Sequence, residues 1–217
     1  MRATGSVIRI LCAVGLVFAW STAASPDDEA VPAVRATAQI KGCTDPNITG
    51  RAFLTERPST EGVKLVDVTV VVQGLPPGKH AVHIHAATGM APTACTPTCA
   101  AAGGHFDPGP AGDPTPDGVG GNHPFHSGDL INLVVDDTGV GSLHTTTSRV
   151  TLSPGPLSVF NGNGSAIIVH EKPDTYCPNG NNAENMGCAG GPRQACGVIQ
   201  PAPSAPEEDG QDDGESQ

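Results

Sequence analysis

Apolar and polar positions alternate along this chain in short runs broken by turn residues, a period of two that points one face of each run into a core and the other into water. The runs Ala36–Ile40, Thr49–Thr55, Val63–Val72, His80–His85, Ile131–Val135, Gly141–Thr145, Ala166–Val169 and Gly197–Ile199 predict about eight short strands. Turn chemistry at Gly74–Gly78, Asp136–Gly139 and Ser153–Pro156 separates several of them. No stretch carries a helical period of useful length. The expected architecture is an all-β antiparallel sandwich or barrel. Two segments, 86–128 and 171–195, are long, Gly-rich and without period. Loops of that kind are usually functional or tied down by cross-links, so candidate chemistry belongs there.

The chain ends differ from this body. Arg2 and Arg9 lead into the apolar run Ile10–Trp20, and Ser21-Thr22-Ala23-Ala24 offers small residues for cleavage, so residues 1–24 read as a secretory signal. The run is short for a bilayer span and has no stop-transfer charges behind it, which argues against stable membrane association. Residues 25–35 form an N-terminal extension, 36–200 the β domain, and 201–217 an acidic, solvated tail with no apolar anchor. The reading implies a secreted protein, periplasmic or extracellular.

Composition narrows the picture further. With 28 Gly and 21 Pro in 217 residues, a helical bundle is excluded. Formal net charge is −11, and residues 25–200 hold nine bases against sixteen acids, or −7. Nucleic acid needs a clustered cationic footprint, which is missing. Cys12 leaves with the signal, and Cys43, Cys95, Cys99, Cys177, Cys188 and Cys196 remain, an even set for an oxidising compartment. Spacing alone leaves their pairing open.

Eight histidines follow the signal. His83 and His85 lie two apart, so on a strand both face one way while Val82 and Ile84 face the other. That is a two-imidazole half-site on an apolar backing, although a lone His-x-His is more often a solvated edge strand. His105 follows Gly103-Gly104; His123, His126 and Asp129 share one short stretch; His170 closes Ala166–Val169. Imidazoles with one carboxylate suit copper or zinc, whereas calcium and magnesium prefer oxygen. Six histidines and an aspartate exceed one four-coordinate centre and suit two adjacent metals sharing a ligand. His144 has no such neighbours and reads as a surface strand residue.

Five segments in order resemble the copper,zinc superoxide dismutases: Gly74-Leu-Pro-Pro-Gly-Lys-His80-Ala-Val-His83-Ile-His85, Cys99-Ala-Ala-Ala-Gly-Gly-His105-Phe-Asp-Pro, His126-Ser-Gly-Asp129-Leu, Val169-His170-Glu-Lys-Pro-Asp174 and Arg193-Gln-Ala-Cys196-Gly-Val-Ile. The resemblance runs from Ala36 to Ile199 and implies that family's eight-stranded antiparallel Greek-key β-sandwich or barrel with two long functional loops. It also implies conversion of two superoxide anions to dioxygen and hydrogen peroxide by copper cycling between Cu(II) and Cu(I), with zinc structural. By resemblance His83, His85, His105 and His170 look like copper ligands. His105 looks like the bridge to zinc, joined there by His126 and Asp129, with His123 for the remaining place. Asp174 resembles the carboxylate that orients one ligand of each metal, here His83 and His123. Arg193 resembles the arginine that attracts superoxide, His105 a group able to take a proton between half-cycles, and His80 a framework histidine. Cys99 with Cys196 resembles the family disulfide, and Cys177 with Cys188 suggests an extra bridge. A homodimer is compatible with the resemblance.

The chain also departs from the pattern. Only three residues carry His123 to His126, a shorter gap than the family shows. Ala81-Val82 replaces a Gly-Phe pair, which leaves strand parity intact. The segment His85–Cys99 is longer than usual and carries Cys95. Two other readings follow from the same residues: a copper-only superoxide dismutase, which would shorten or lose the zinc-bearing loop, and a non-catalytic copper-binding or buffering protein on the same fold. Asn47-Ile-Thr49 and Asn163-Gly-Ser165 fit the glycosylation acceptor pattern, which matters only in a host that glycosylates exported proteins.

Overall fold

A computed structural model describes residues 33–88, 93–109, 123–176 and 187–202. The predicted signal at 1–24, the extension up to residue 32, Cys177 and the tail beyond residue 202 lie outside the described residues. Nine strands form one sheet: β1 Val34–Gly42, β2 Thr49–Pro58, β3 Lys64–Gln73, β4 Gly78–His80, β5 Val82–Ala86, β6 Leu133–Val135, β7 Val140–Thr147, β8 Ser165–His170 and β9 Arg193–Pro201. Neighbours pair antiparallel in the order β4-β6-β7-β3-β2-β1-β9-β8-β5. Four neighbouring pairs, β4–β6, β3–β7, β1–β9 and β5–β8, are not consecutive in the chain, as in a Greek key.

Eight strands become nine because the run His80–His85 is two strands. Ala81 separates β4 from β5, and these two occupy opposite ends of the sheet order, so consecutive residues roll the sheet into a nearly closed barrel. Ala81 pairs outside both: its N–H donates to Lys172 O at 2.9 Å and its carbonyl accepts from His170 N–H at 2.9 Å. At the start, Val34 and Arg35 already pair with Glu56 and Thr55, so the domain begins before residue 36.

The alternation read from the sequence is what packs the barrel. Along β3, Val66, Val68, Val70 and Val72 point inward and are buried, with Asp67, Thr69 and Val71 outward. Aliphatic side chains such as Ile40, Leu54, Ile84, Leu133 and Ile167 fill the interior, and Phe106 is the buried aromatic among the described residues. β5 and β8 break this alternation, being buried on both faces. A second layer must cover their outer side.

The disulfides correct one expectation. Cys99 pairs with Cys43, and Cys95 with Cys196, in place of Cys99 with Cys196. Cys43 lies just beyond β1, where Lys41 pairs with Cys196 of β9, so the two strand cysteines are neighbours. Cys95 and Cys99 occupy one turn of the covering loop, Cys99 N–H donating to Cys95 O at 3.3 Å. Four cysteines thus meet at one place, beside Ala102, Ala166 and Ile168, and each loop cysteine takes one strand cysteine. The loop is still tied to the last strand, through Cys95. Cys188 is also disulfide-bonded, and its expected partner Cys177 lies outside the described residues.

Candidate metal centre

As the final strand of the sheet order, β5 would expose unpaired backbone groups along one edge. The long loop occupies that edge. Ile84 N–H donates to Gly128 O at 2.8 Å, Phe106 N–H to Ile84 O at 2.8 Å, and Ala86 N–H to Gly104 O at 2.9 Å. This pairing sets His83 against Asp129 and His85 against His105. Gly128 is needed for the approach, because a Cβ there would lie 2.2 Å from Ile84 O.

Each imidazole on this side is held from behind. His83 donates from Nε2 to Asp174 Oδ2 at 2.9 Å, His85 from Nδ1 to Gly103 O at 2.8 Å, and His170 from Nδ1 to Gly191 O at 2.8 Å. Carbonyls and carboxylates only accept, so the proton sits on those nitrogens and the opposite ones keep a lone pair. Those opposite atoms, His83 Nδ1, His85 Nε2 and His170 Nε2, are buried and have no hydrogen-bond partner. The ligand atoms of His83, His85, His105 and His170 all lie within 4.8 Å of one another. Burial, reinforced by neighbouring rings, pushes His170 down to about 3 and His85 well below its ordinary value. Burial also lowers His105 to about 4, against the pull of Asp129. Unpartnered buried acceptors cost about 1–3 kcal/mol each, and their convergence makes a cradle for a cation.

The adjoining side is built on a carboxylate. His105 Nδ1 lies 2.6 Å from Asp129 Oδ1, His126 Nδ1 3.0 Å from Oδ2, and His123 Nδ1 3.1 Å from Oδ2. The last contact lacks hydrogen-bond geometry and leaves His123 Nδ1 unpartnered. His83, His105, His123 and Asp129 form a second group within 4.8 Å; His126 is outside that group although it touches Asp129. His123 Nε2 donates to Asp174 Oδ1 at 2.9 Å, so one carboxylate spans His83 and His123. Burial opposes charge on His123, yet Asp129 and Asp174 outweigh it and raise the ring to about 9. Burial would raise both carboxyls, but the imidazoles hold them far below the usual carboxylate range, His105 foremost for Asp129 and His123 for Asp174. Four imidazoles fit copper, and three imidazoles with a carboxylate fit zinc.

Arg193 opens β9 beside these rings. Its Nη1 donates to Cys99 O at 2.7 Å and Ala100 O at 3.2 Å, and its Nη2 to Gly103 O, the carbonyl that also receives His85. No ion pair among the described residues includes it, so its charge is not cancelled by a carboxylate. His80 lies apart, its ring nitrogens 2.8 Å from His170 O and 2.9 Å from Pro76 O. His144 is on the outer face beside Thr69 Oγ1 at 3.1 Å.

A sequence model of the family described as copper/zinc superoxide dismutase (SODC) matches residues 48–199. The chain belongs to the copper/zinc superoxide dismutase family. It is an oxidoreductase of that family, a superoxide dismutase whose metals are copper and zinc, and its histidine and aspartate groups can hold both. Cu-Zn superoxide dismutase 2 of Brassica juncea is 36% identical over 140 residues, 64% of this chain and 83% of that relative. Among solved structures the clock protein EA4 is similar, at 29% identity and a TM-score of 0.57 over 78% of this chain and 95% of that one. No helix among the described residues is long and apolar enough to cross a membrane.

Two residues in contact with this dismutase centre had no sequence signal. Asn132 donates from Nδ2 to Asp174 O at 2.9 Å and accepts from Asp174 N–H at 2.7 Å, which also shortens the predicted strand Ile131–Val135 to β6. Arg149 reaches the loop of His126 and Asp129. Both are single polar residues whose partners are distant in sequence. No motif spacing could have found them.

Proposed function

We propose that the four-imidazole group His83, His85, His105 and His170 holds copper and that His105, His123, His126 and Asp129 hold zinc, with His105 shared. The observation that carries this is the set of buried, unpartnered nitrogens on His83, His85, His123 and His170, each fixed by a hydrogen bond on the opposite side of its ring. Copper bound there supplies the one-electron cycle between Cu(II) and Cu(I) that turns two superoxide anions and two protons into dioxygen and hydrogen peroxide.

The protein's own residues do the rest. Arg193, anchored on the loop carbonyls, offers its remaining N–H groups and its charge to an anion, which matters when residues 25–200 total −7. His105, steadied at Nδ1 by Asp129, can hold a proton at Nε2 beside the bound anion. Asp174 fixes one ring on each side and couples the two half-sites. Export completes the reading: residues 1–24 act as a signal ahead of an enzyme domain that runs from β1 to β9, supported by disulfides that persist outside a reducing cytosol. The test is metal analysis of the full mature protein alongside a dismutation assay. One copper and one zinc per chain with turnover supports the proposal; copper uptake without turnover leaves a copper-binding protein, and turnover without zinc a copper-only enzyme.

A further inference from the structure

A cation outside the histidine cluster grips the loop that carries it. Arg149 follows β7, and its Nη1 donates to His126 O at 3.0 Å while its Nη2 donates to Asp129 O. Those two residues bound a tight turn, closed by Asp129 N–H to His126 O at 3.1 Å and by His126 N–H to Asp129 Oδ2 at 2.9 Å. The guanidinium therefore holds both ends of the turn from its outer side. Its own base is firm: Arg149 N–H donates to Thr147 Oγ1 at 3.1 Å, the next residue Val150 is fully buried, and buried Glu56 accepts from Ser153 N–H at 2.9 Å. A planar fork with parallel donors suits two carbonyls in a way that a point charge does not.

We infer that Arg149 is a positioning residue for zinc, resting on the reading that His126 and Asp129 are zinc ligands. It makes no contact with a ligand nitrogen or carboxylate oxygen of either; it fixes their peptide planes, and through them the direction in which imidazole and carboxylate leave the backbone. Of the histidines assigned to copper alone, His85 and His170 are held by Gly103 and Gly191 and His83 by Asp174, none of them by Arg149. The effect is thus selective for one metal. Arg149 and Asp129 both line an open cavity of about 440 Å³, so a shortened side chain at 149 leaves room for water beside Asp129, and the thermal midpoint of the metal-free variant checks that the fold is kept.

The test uses the full chain, stripped of metal and titrated separately with Zn²⁺, Co²⁺ and Cu²⁺ against a competing chelator. Arg149→Gln weakens Zn²⁺ by about 10-fold and alters the Co²⁺ ligand-field spectrum, while Cu²⁺ affinity stays within about twofold. Arg149→Lys, which keeps charge but not the fork, recovers part of the loss. Unchanged Zn²⁺ affinity in Arg149→Gln overturns the inference, as does equal weakening of Zn²⁺ and Cu²⁺, which would mark general destabilisation. Asp129→Asn serves as the reference. If it loses Zn²⁺ while Arg149→Gln retains it, only the role of Arg149 fails; if it keeps Zn²⁺ at wild-type affinity, the ligand assignment fails and takes this inference with it.

Discussion

The strand half and the loop half of this centre meet at His105 yet are built on different principles. His83, His85 and His170 sit on β5 and β8, strands whose backbone positions are set by the ladder, and two of the three lean on backbone carbonyls. His123, His126 and Asp129 sit in a loop and are organised by a carboxylate. In the first half burial favours the neutral rings of His85 and His170 before any metal arrives. The second is charged, and its geometry depends on ion pairs and on contacts from outside the loop. The strand half leaves three buried ring nitrogens without a partner, whereas in the loop half His123 Nδ1 is unpartnered but His126 and Asp129 already hydrogen-bond each other.

The largest expected effect comes from the ring common to both halves. His105→Ala removes a donor from each group, and affinity for both metals should fall by more than about 100-fold with loss of dismutation, read by chelator competition and assay. A loss confined to one metal would show that the ring is not shared. Asp174→Asn tests the tie between halves, since an amide cannot accept well from both His83 and His123; affinity should drop about 10-fold or more, with the zinc half hit harder because His123 sits in a loop whereas His83 is still held by its strand ladder. Equal losses would blur the distinction between the halves.

Arg193→Lys is expected to reduce kcat/KM about threefold to 10-fold and to change its salt dependence with both metals still bound, because lysine keeps the charge but not the fork. The mildest test is pH. In the metal-free chain His105 and His170 titrate below their unfolded value of 6.5, so the unfolded state takes up protons that the folded state refuses, and stability falls as pH drops from 6.5 toward about 4 and 3. His123, raised to about 9, does the reverse: its contribution is whole below 6.5 and is lost as pH climbs through 9. Thermal midpoints of the metal-free protein should therefore peak near neutrality. A steady rise up to pH 10 would remove His123 from that account.

Legibility followed the same divide. Period-two alternation predicted β1, β2, β3 and β7 because each has one wet face and one dry, and parity put His83 and His85 of β5 on one face. The split at Ala81 was hidden, since a chain crossing from one sheet edge to the other keeps its apolar pattern while changing partners. The cysteine pairing was hidden for a similar reason: four sulfurs meet at one place, and sequence order cannot say which touch. Asn132 and Arg149 act on backbone atoms, which every residue possesses, so nothing in their partners' identities announced them.

Ala81 has a consequence for how this barrel tolerates change. It is the one residue between the first and last strands of the sheet order, and its environment is closed: a Cβ placed on Gly190 would lie 2.5 Å from its own. A Cβ on Gly190 would also meet His170 Cβ at 2.7 Å and Lys172 O at 2.9 Å, and its φ of +92° favours glycine, so position 190 stays glycine whatever stands at 81. Inserting a single residue there would also shift β5 by one step and turn His83 and His85 toward the barrel interior, exchanging the metal face for the greasy one. Closure of the cylinder and aim of the ligands are thus the same count, kept at one peptide unit.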